Sequence, residues 1–136
     1  MKLIVIIFLS LFSGLCFSQT FNGSIKLDKG SFFDSNEPTI TYENNDISFS
    51  VKFYVDTFIE DTAIYAYTKV KNLSGKDSKY AFYVAFFDTD ENLVATSRHT
   101  TKLKPGEDTQ LGGLYSEIAG DDWKKVTSYK YTVVKL

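Results

Sequence analysis

Between Asp46 and Asp56 the sequence alternates strictly between two kinds of side chain. The apolar set is Ile47, Phe49, Val51, Phe53 and Val55, and the intervening set is Ser48, Ser50, Lys52, Tyr54 and Asp56. A period of two is typical of a β-strand with one face in a core and the other in solvent. A shift of one residue would turn all the apolar side chains outward, so the register is strongly specified. The chain therefore has to fold around a half-buried strand.

The stretch from Thr62 to Leu111 continues the β pattern as short runs separated by turn residues. The runs are Thr62–Val70, Tyr80–Phe87 and Leu93–Thr101, and the corner Lys104-Pro105-Gly106-Glu107 follows them. This pattern predicts a meander of antiparallel strands. Proline and glycine at the second and third corner positions predict a type II turn. The second run is apolar on both sides, which predicts a central strand covered on both faces, and the more polar third run predicts an edge strand.

The remaining runs complete an all-β pattern. They are Thr20–Leu27, Thr39–Tyr42, Thr109–Tyr115 and Ser128–Leu136, and the third is weakened by Gly112-Gly113, which indicates a bulge or a close backbone approach. Asp121 to Trp123 is either a single helical turn or part of an irregular crossover. We expect Phe32-Phe33 to fold back over one end of the core. Seven or eight short strands predict an antiparallel β-sandwich.

The N-terminus has the layout of a secretory signal peptide. Lys2 precedes an apolar run, Leu3–Leu15, and the small residues of Cys16-Phe17-Ser18 predict cleavage after Ser18. A membrane anchor is an alternative, although the run is shorter than the roughly 20 residues that a span requires. A lipidated Cys16 is a further alternative, which the preceding Leu15 disfavours. We predict a signal peptide at 1–18 and one exported domain at 19–136, periplasmic or extracellular and without cysteine.

Four segments resemble a known family. They are Val70–Ser74, Val84–Asp88, Asn92–Val94 and Leu103–Glu107, in that order. Their order and spacing are similar to those of the FxLYD-type immunoglobulin-like domains of exported bacterial proteins. Val84, Phe86 and Phe87 stand at the Phe, Leu and Tyr of the family signature, and Asp88 is retained. The resemblance implies an immunoglobulin-like antiparallel β-sandwich of about seven or eight strands, and it implies no activity, cofactor or site.

Composition and motifs argue against several function classes. The formal net charge is −2, which provides no basic footprint for nucleic acid. His99 is the single histidine, and no nucleophile–base constellation accompanies it. Asp88–Asn92 is similar to the start of a calcium loop, but Leu93 and His99 stand where that loop needs glycine and glutamate. Asp121-Asp122 beside Trp123 is better interpreted as a solvated loop than as a glycosidase pair. We predict no catalytic residue, metal or cofactor.

One set of residues is a candidate binding face. Alternation directs Tyr65, Tyr67, Lys69 and Lys71 to one side of their strand, and we expect Tyr83 and Phe87 on the adjacent strand. Aromatic rings with lysines can stack on sugar rings or contact a partner protein. The alternative is that this face belongs to the core, or is covered by Phe32-Phe33 and the Trp123 segment.

These observations predict an exported, non-catalytic β-sandwich that binds a protein, a glycan or the cell envelope, and that is not an integral membrane protein after cleavage. The alternative is a structural or assembly component of the envelope that acts through an exposed edge strand. A small hydrolase is the remote alternative, since it would need a cleft that the sequence does not indicate.

Overall fold

Two antiparallel β-sheets pack as a sandwich in the computed structural model, which describes residues 17–30, 37–58 and 61–136. The described strands are β1 (Ser18–Ser24), β2 (Ile40–Glu43), β3 (Ile47–Phe58), β4 (Asp61–Asn72), β5 (Ser78–Phe87), β6 (Leu93–Leu103), β7 (Asp108–Leu111), β8 (Tyr115–Ile118) and β9 (Ser128–Lys135). A single 3-10 helical turn, Asp122–Lys125, lies between β8 and β9. The prediction of an all-β sandwich is confirmed.

The strands are divided between a four-stranded and a five-stranded sheet. The first has the order β1-β9-β5-β6; the second has the order β2-β3-β4, with β7 and β8 both paired to the far side of β4. The predicted meander is right for the β5–β6 hairpin but wrong at two connections, because the chain changes sheet between β4 and β5 and again between β6 and β7. The run predicted as one strand from Thr109 to Tyr115 is two strands, which a turn at Gly112-Gly113 separates.

The Gly112-Gly113 pair forms a turn and not the predicted bulge, and the group that approaches Gly113 closely is a side chain and not another stretch of backbone. A Cβ atom at this position would come within 2.5 Å of the His99 ring nitrogen Nδ1. Any larger residue at Gly113 would therefore require the His99 ring to shift.

The alternation in β3 is what builds the core. Its five apolar side chains are all buried, as predicted. Phe49 stands edge-on to Phe82 of β5 with 6.3 Å between ring centroids. Phe53 does the same to Phe86 at 5.5 Å and lies 4.8 Å from Tyr129 of β9. Such ring pairs each contribute about 0.5–1.5 kcal/mol beyond the burial of their area. Tyr129, Tyr131 and Val133 alternate along β9 and are buried as well.

One buried hydrogen bond also connects the two sheets. The hydroxyl oxygens of Thr68 on β4 and Tyr131 on β9 are 2.6 Å apart. Thr68 gives its own proton to the Ala66 carbonyl oxygen at 3.1 Å, so Tyr131 is the donor to Thr68. Burial raises the pKa of Tyr131, and the phenol stays neutral and able to donate.

Strand positions and the corner agree largely with the sequence predictions. β1 and β6 are the edges of the four-stranded sheet, and β5 is central, but its outer side is not fully covered, since Tyr83 is 36% exposed. The Glu107 N–H donates to the Lys104 carbonyl oxygen at 3.1 Å, and Gly106 has a φ of +74°, so the type II turn is confirmed.

The first described residues pair with the C-terminal strand. The described chain begins at Phe17, whose carbonyl oxygen accepts a hydrogen bond from Lys135 N–H at 3.0 Å. Residues 1–16 of the predicted signal peptide, and Phe32-Phe33, lie outside the described residues. Of the two alternatives for the segment at Asp121, a helical turn or an irregular crossover, the helical turn is correct. The Asp121 side chain does not cap it.

Asn72, at the end of β4, ties two connections together. Its side-chain NH2 donates to the carbonyl oxygens of Lys76 at 2.9 Å and Leu103 at 3.1 Å. Its side-chain oxygen accepts from the backbone N–H and the hydroxyl of Ser74. Its backbone exchanges hydrogen bonds with Gly106 and Glu107. The crossover from β4 to β5 is therefore held to the corner after β6.

We expect Asn72→Ala to lower the free energy of unfolding by about 2–3 kcal/mol, because it removes the hydrogen bonds that the Asn72 amide donates to the carbonyl oxygens of Lys76 and Leu103. The measurement is urea denaturation followed by tryptophan fluorescence. Asn45→Ala, in an exposed turn, serves as the control and should change stability by less than about 0.5 kcal/mol. Equal effects of the two substitutions would contradict this role of Asn72.

Candidate functional site

The candidate site lies on the outer face of the five-stranded sheet, where β4 presents Tyr65, Tyr67, Lys69 and Lys71. Inward-facing Ile64, Ala66, Thr68 and Val70 alternate with them and are buried. Because the register pairs β4 with β3 on one side and with β7 and β8 on the other, residues from those strands flank the four outward side chains. We call this surface the tyrosine–lysine face; its members are Tyr65, Tyr67, Lys69, Lys71, Lys52, Tyr54 and Tyr115.

Three of its tyrosines form a stack across three strands. The register places Tyr65 directly opposite Tyr54 of β3 and Tyr115 of β8. The rings of Tyr54 and Tyr65 are 5.0 Å apart and inclined by 5°, and those of Tyr65 and Tyr115 are 5.7 Å apart and inclined by 30°. Tyr54 is consequently 6% exposed although it lies on the solvent side of its strand, whereas Tyr115, at the sheet edge, is 45% exposed. The stack offers its edges, its hydroxyls and the outer ring of Tyr115 to a ligand.

Three phenols of this face, those of Tyr54, Tyr65 and Tyr67, are held in their neutral form. Burial, followed by the neighbouring Tyr65, Asp56 and Tyr67, raises the pKa of Tyr54 to about 12. Burial is also the main cause of the raised pKa of Tyr65 and of Tyr67. At neutral pH each hydroxyl therefore remains able both to donate and to accept a hydrogen bond.

A groove of about 650 Å³ lies beside the stack and runs across four strands. Its polar walls are Thr41 of β2, Ser48 and Ser50 of β3, Lys69 and Lys71 of β4, and Asp108 and Gln110 of β7. Its floor is formed by the backbone of β3 and β4, since Phe49 and Val70 point into the core. The result is a shallow surface of hydroxyls, one amide, two ammonium groups and one carboxylate.

The structure brings together four of the six residues predicted for the binding face. Tyr83 and Phe87 are on β5 in the other sheet, so the expectation that they lie on the adjacent strand is wrong. The reason is the crossover between Asn72 and Ser78, which sends the chain to the opposite layer. There the Arg98 guanidinium lies 5.6 Å from the centroid of the Tyr83 ring, and Phe87 is half-buried.

The alternative that this face is core does not hold for the described residues. The four β4 side chains lie outside the buried cluster, and Lys69 and Lys71 are exposed. Trp123 is part of the core cluster and does not cover this face.

Sequence reasoning missed Lys52, Tyr54 and Tyr115 as members of the site. Tyr54 was recognisable as outward-facing from the alternation of β3, and a β3–β4 hairpin register would have placed it opposite Tyr65. Tyr115 carried no such signal, because the break at Gly112-Gly113 hides the pairing of β8.

The remaining candidates for chemistry are occupied by local contacts. The Asp88 carboxylate accepts hydrogen bonds from the backbone N–H groups of Asp90 and Asn92, both at 2.9 Å, which makes the segment a hairpin turn and lowers the pKa of Asp88. Asp121 and Asp122 form ion pairs with Lys124 and Lys125 at 3.2 and 2.9 Å.

The described residues contain no group of three or more His, Cys, Asp or Glu side chains placed to hold a metal ion. No helix within them is long and apolar enough to cross a membrane.

Comparison with known proteins leaves the family open. No family model matches the chain, and no curated protein is significantly similar to it.

We expect Tyr65→Ala combined with Tyr67→Ala to leave the sandwich folded and to lower the free energy of unfolding by about 1–2 kcal/mol, because the stack loses its middle ring while the core is untouched. Phe49→Ala is the comparison and should cost about 3–5 kcal/mol, since it opens a cavity in the core. Far-ultraviolet circular dichroism and urea denaturation measure both. Loss of the β spectrum in the tyrosine variant would show that the face is structural.

The raised pKa of Tyr54 links stability to alkaline pH. A phenol whose pKa rises from 10.0 to about 12 on folding stabilises the native state fully below pH 10, and this contribution is lost as the pH rises through 12. We expect Tyr54→Phe to flatten the fall in stability between pH 10 and 12. Denaturation midpoints across that range and absorbance at 295 nm test this; identical slopes for both proteins would contradict it.

Proposed function

We propose that the protein is an exported, non-catalytic module that binds a partner protein or a glycan at the cell envelope through the tyrosine–lysine face. The observation that supports this is the composition of that face. A sheet side that only met water would need neither a three-ring tyrosine stack nor a groove with two exposed lysines beside it. Tyrosine gives large contact area at low entropic cost, which suits a recognition surface.

The fold supports assignment to the immunoglobulin-like class. If β3, β4, β5, β6, β7–β8 and β9 are taken as strands A, B, C, C′, E and F, the neighbours become A-B-E in one sheet and C′-C-F in the other. Those are the neighbours of an immunoglobulin domain. β1 then occupies the position of strand G. The four FxLYD-like segments agree with this assignment, since they fall at the ends of β4, β5 and β6 and at the start of β6.

Export and lack of catalysis are part of the same proposal. The apolar run Leu3–Leu15 behind Lys2 supports export, and residues 19–136 are then the mature domain. Three carboxylates that sequence patterns single out, Asp88, Asp121 and Asp122, are engaged by backbone N–H groups or lysines. Each would have to break those contacts to act as an acid, a base or a ligand.

The experiment compares two variants, each of which removes outward-facing aromatic side chains from one sheet only. Purified protein is tested against a glycan array and against detergent-solubilised envelope of the exporting cell. We expect Tyr65→Ala combined with Tyr67→Ala to abolish the binding of wild type and Tyr83→Ala, on the opposite sheet, to retain it. Binding that survives the first variant and is lost in the second would refute the proposed face.

The same preparation tests the assembly alternative, for which β1 is the candidate. β1 is an edge strand with one partner, β9, so its other side can add to another sheet. A sedimentation coefficient that rises with protein concentration in the wild type, but not in the Thr20→Pro variant, would favour assembly over binding.

A further inference from the structure

The groove beside the tyrosine stack has the chemistry of a site for an acidic sugar. It presents three hydroxyls (Thr41, Ser48 and Ser50) and the amide of Gln110 across four strands. Polyhydroxylated ligands both donate and accept hydrogen bonds, and these side chains do the same. An apolar peptide would leave the groups without partners, which costs free energy at each one.

The charge of the groove restricts the class of ligand further. Lys69 and Lys71 are exposed, and within the part of the chain that the structure describes they form no ion pair. A single carboxylate, Asp108, shares the groove and stands opposite Lys71 in the register. The groove is therefore net positive on a chain whose formal net charge is −2. A local cationic site on an acidic protein is complementary to an anionic ligand.

The arrangement of the lysines suits a repeating chain. They are two residues apart on the same side of β4, which separates their Cα atoms by about 7 Å along the strand. Tyr67 and Tyr65 continue the same row at the same spacing, so the face changes from cationic to aromatic over about 20 Å. A polysaccharide lying along β4 would meet ammonium groups at one end and tyrosine rings and hydroxyls at the other.

We propose that the groove binds an acidic polysaccharide, with Lys69 and Lys71 holding its carboxylate or sulfate groups and the serine, threonine and glutamine side chains holding its hydroxyls. Asp108 accepts hydrogen bonds from hydroxyls of the same chain. The inference rests on the proposed function, since it names the ligand class of the same face.

The experiment uses three polymers as probes in affinity electrophoresis and calorimetry. Polygalacturonate carries carboxylates, chondroitin sulfate carries carboxylates and sulfates, and dextran is neutral. We expect binding to one or both acidic polymers, none to dextran, and an affinity that falls as salt is raised. The variant Lys69→Gln with Lys71→Gln should weaken binding roughly tenfold or more, because charge-assisted hydrogen bonds are lost.

The matched control is Lys79→Gln with Lys130→Gln, which removes the same charge from the outer side of the four-stranded sheet, where both lysines are exposed. It should bind as wild type does. Equal weakening by the two double variants would reveal general charge attraction and overturn the inference, as would the absence of binding to both acidic polymers. In either case the proposed function would still hold if wild type binds the envelope and the variant Tyr65→Ala with Tyr67→Ala does not. The ligand would then be a protein or a neutral glycan. Circular dichroism verifies that every variant is folded.

Discussion

The aromatic rings of β3 hold the two layers of this protein together. Phe49 and Phe53 reach across the interior to rings on β5 and β9, and all of these are buried. The hydrogen bond from Tyr131 to Thr68 adds a directional link in the same apolar space. Hydrophobic burial resists separation of the sheets, while the ring edges and the hydroxyl pair fix which residues face each other. The core is therefore complete without the residues on the outer faces of the two sheets.

Because the core does not need them, the residues of the tyrosine–lysine face are available for binding. Along β4 the inward-facing side chains pack in the core, and the alternation of the strand places the other side chains on the outer surface. The tyrosines on the outer side stabilise one another by stacking. A rigid aromatic row next to a polar groove loses little conformational entropy when a ligand binds, because its rings are already held in place.

The sequence predicted the strands more successfully than their arrangement. The alternation of β3 specified which side chains are buried, and Pro105-Gly106 specified the turn, because these are properties of neighbouring residues. Which sheet a strand joins is not such a property. The connection from Asn72 to Ser78 can make a hairpin or a crossover, and the choice depends on long-range contacts of Asn72 with Leu103 and Gly106. Tyr83 and Phe87 were therefore assigned to the wrong face although their strand was identified correctly.

The pairing of β1 with β9 has a kinetic consequence. Thr20 and Thr132 share a hydrogen bond although they are 112 positions apart in the sequence, and among the described strands β1 pairs only with β9. Until β9 pairs with it, β1 lacks its partner strand and its edge stays unprotected. Closing so long a loop slows folding, and a solitary strand invites mispairing during the delay. The four-stranded sheet is therefore complete only when strands from opposite ends of the domain have met.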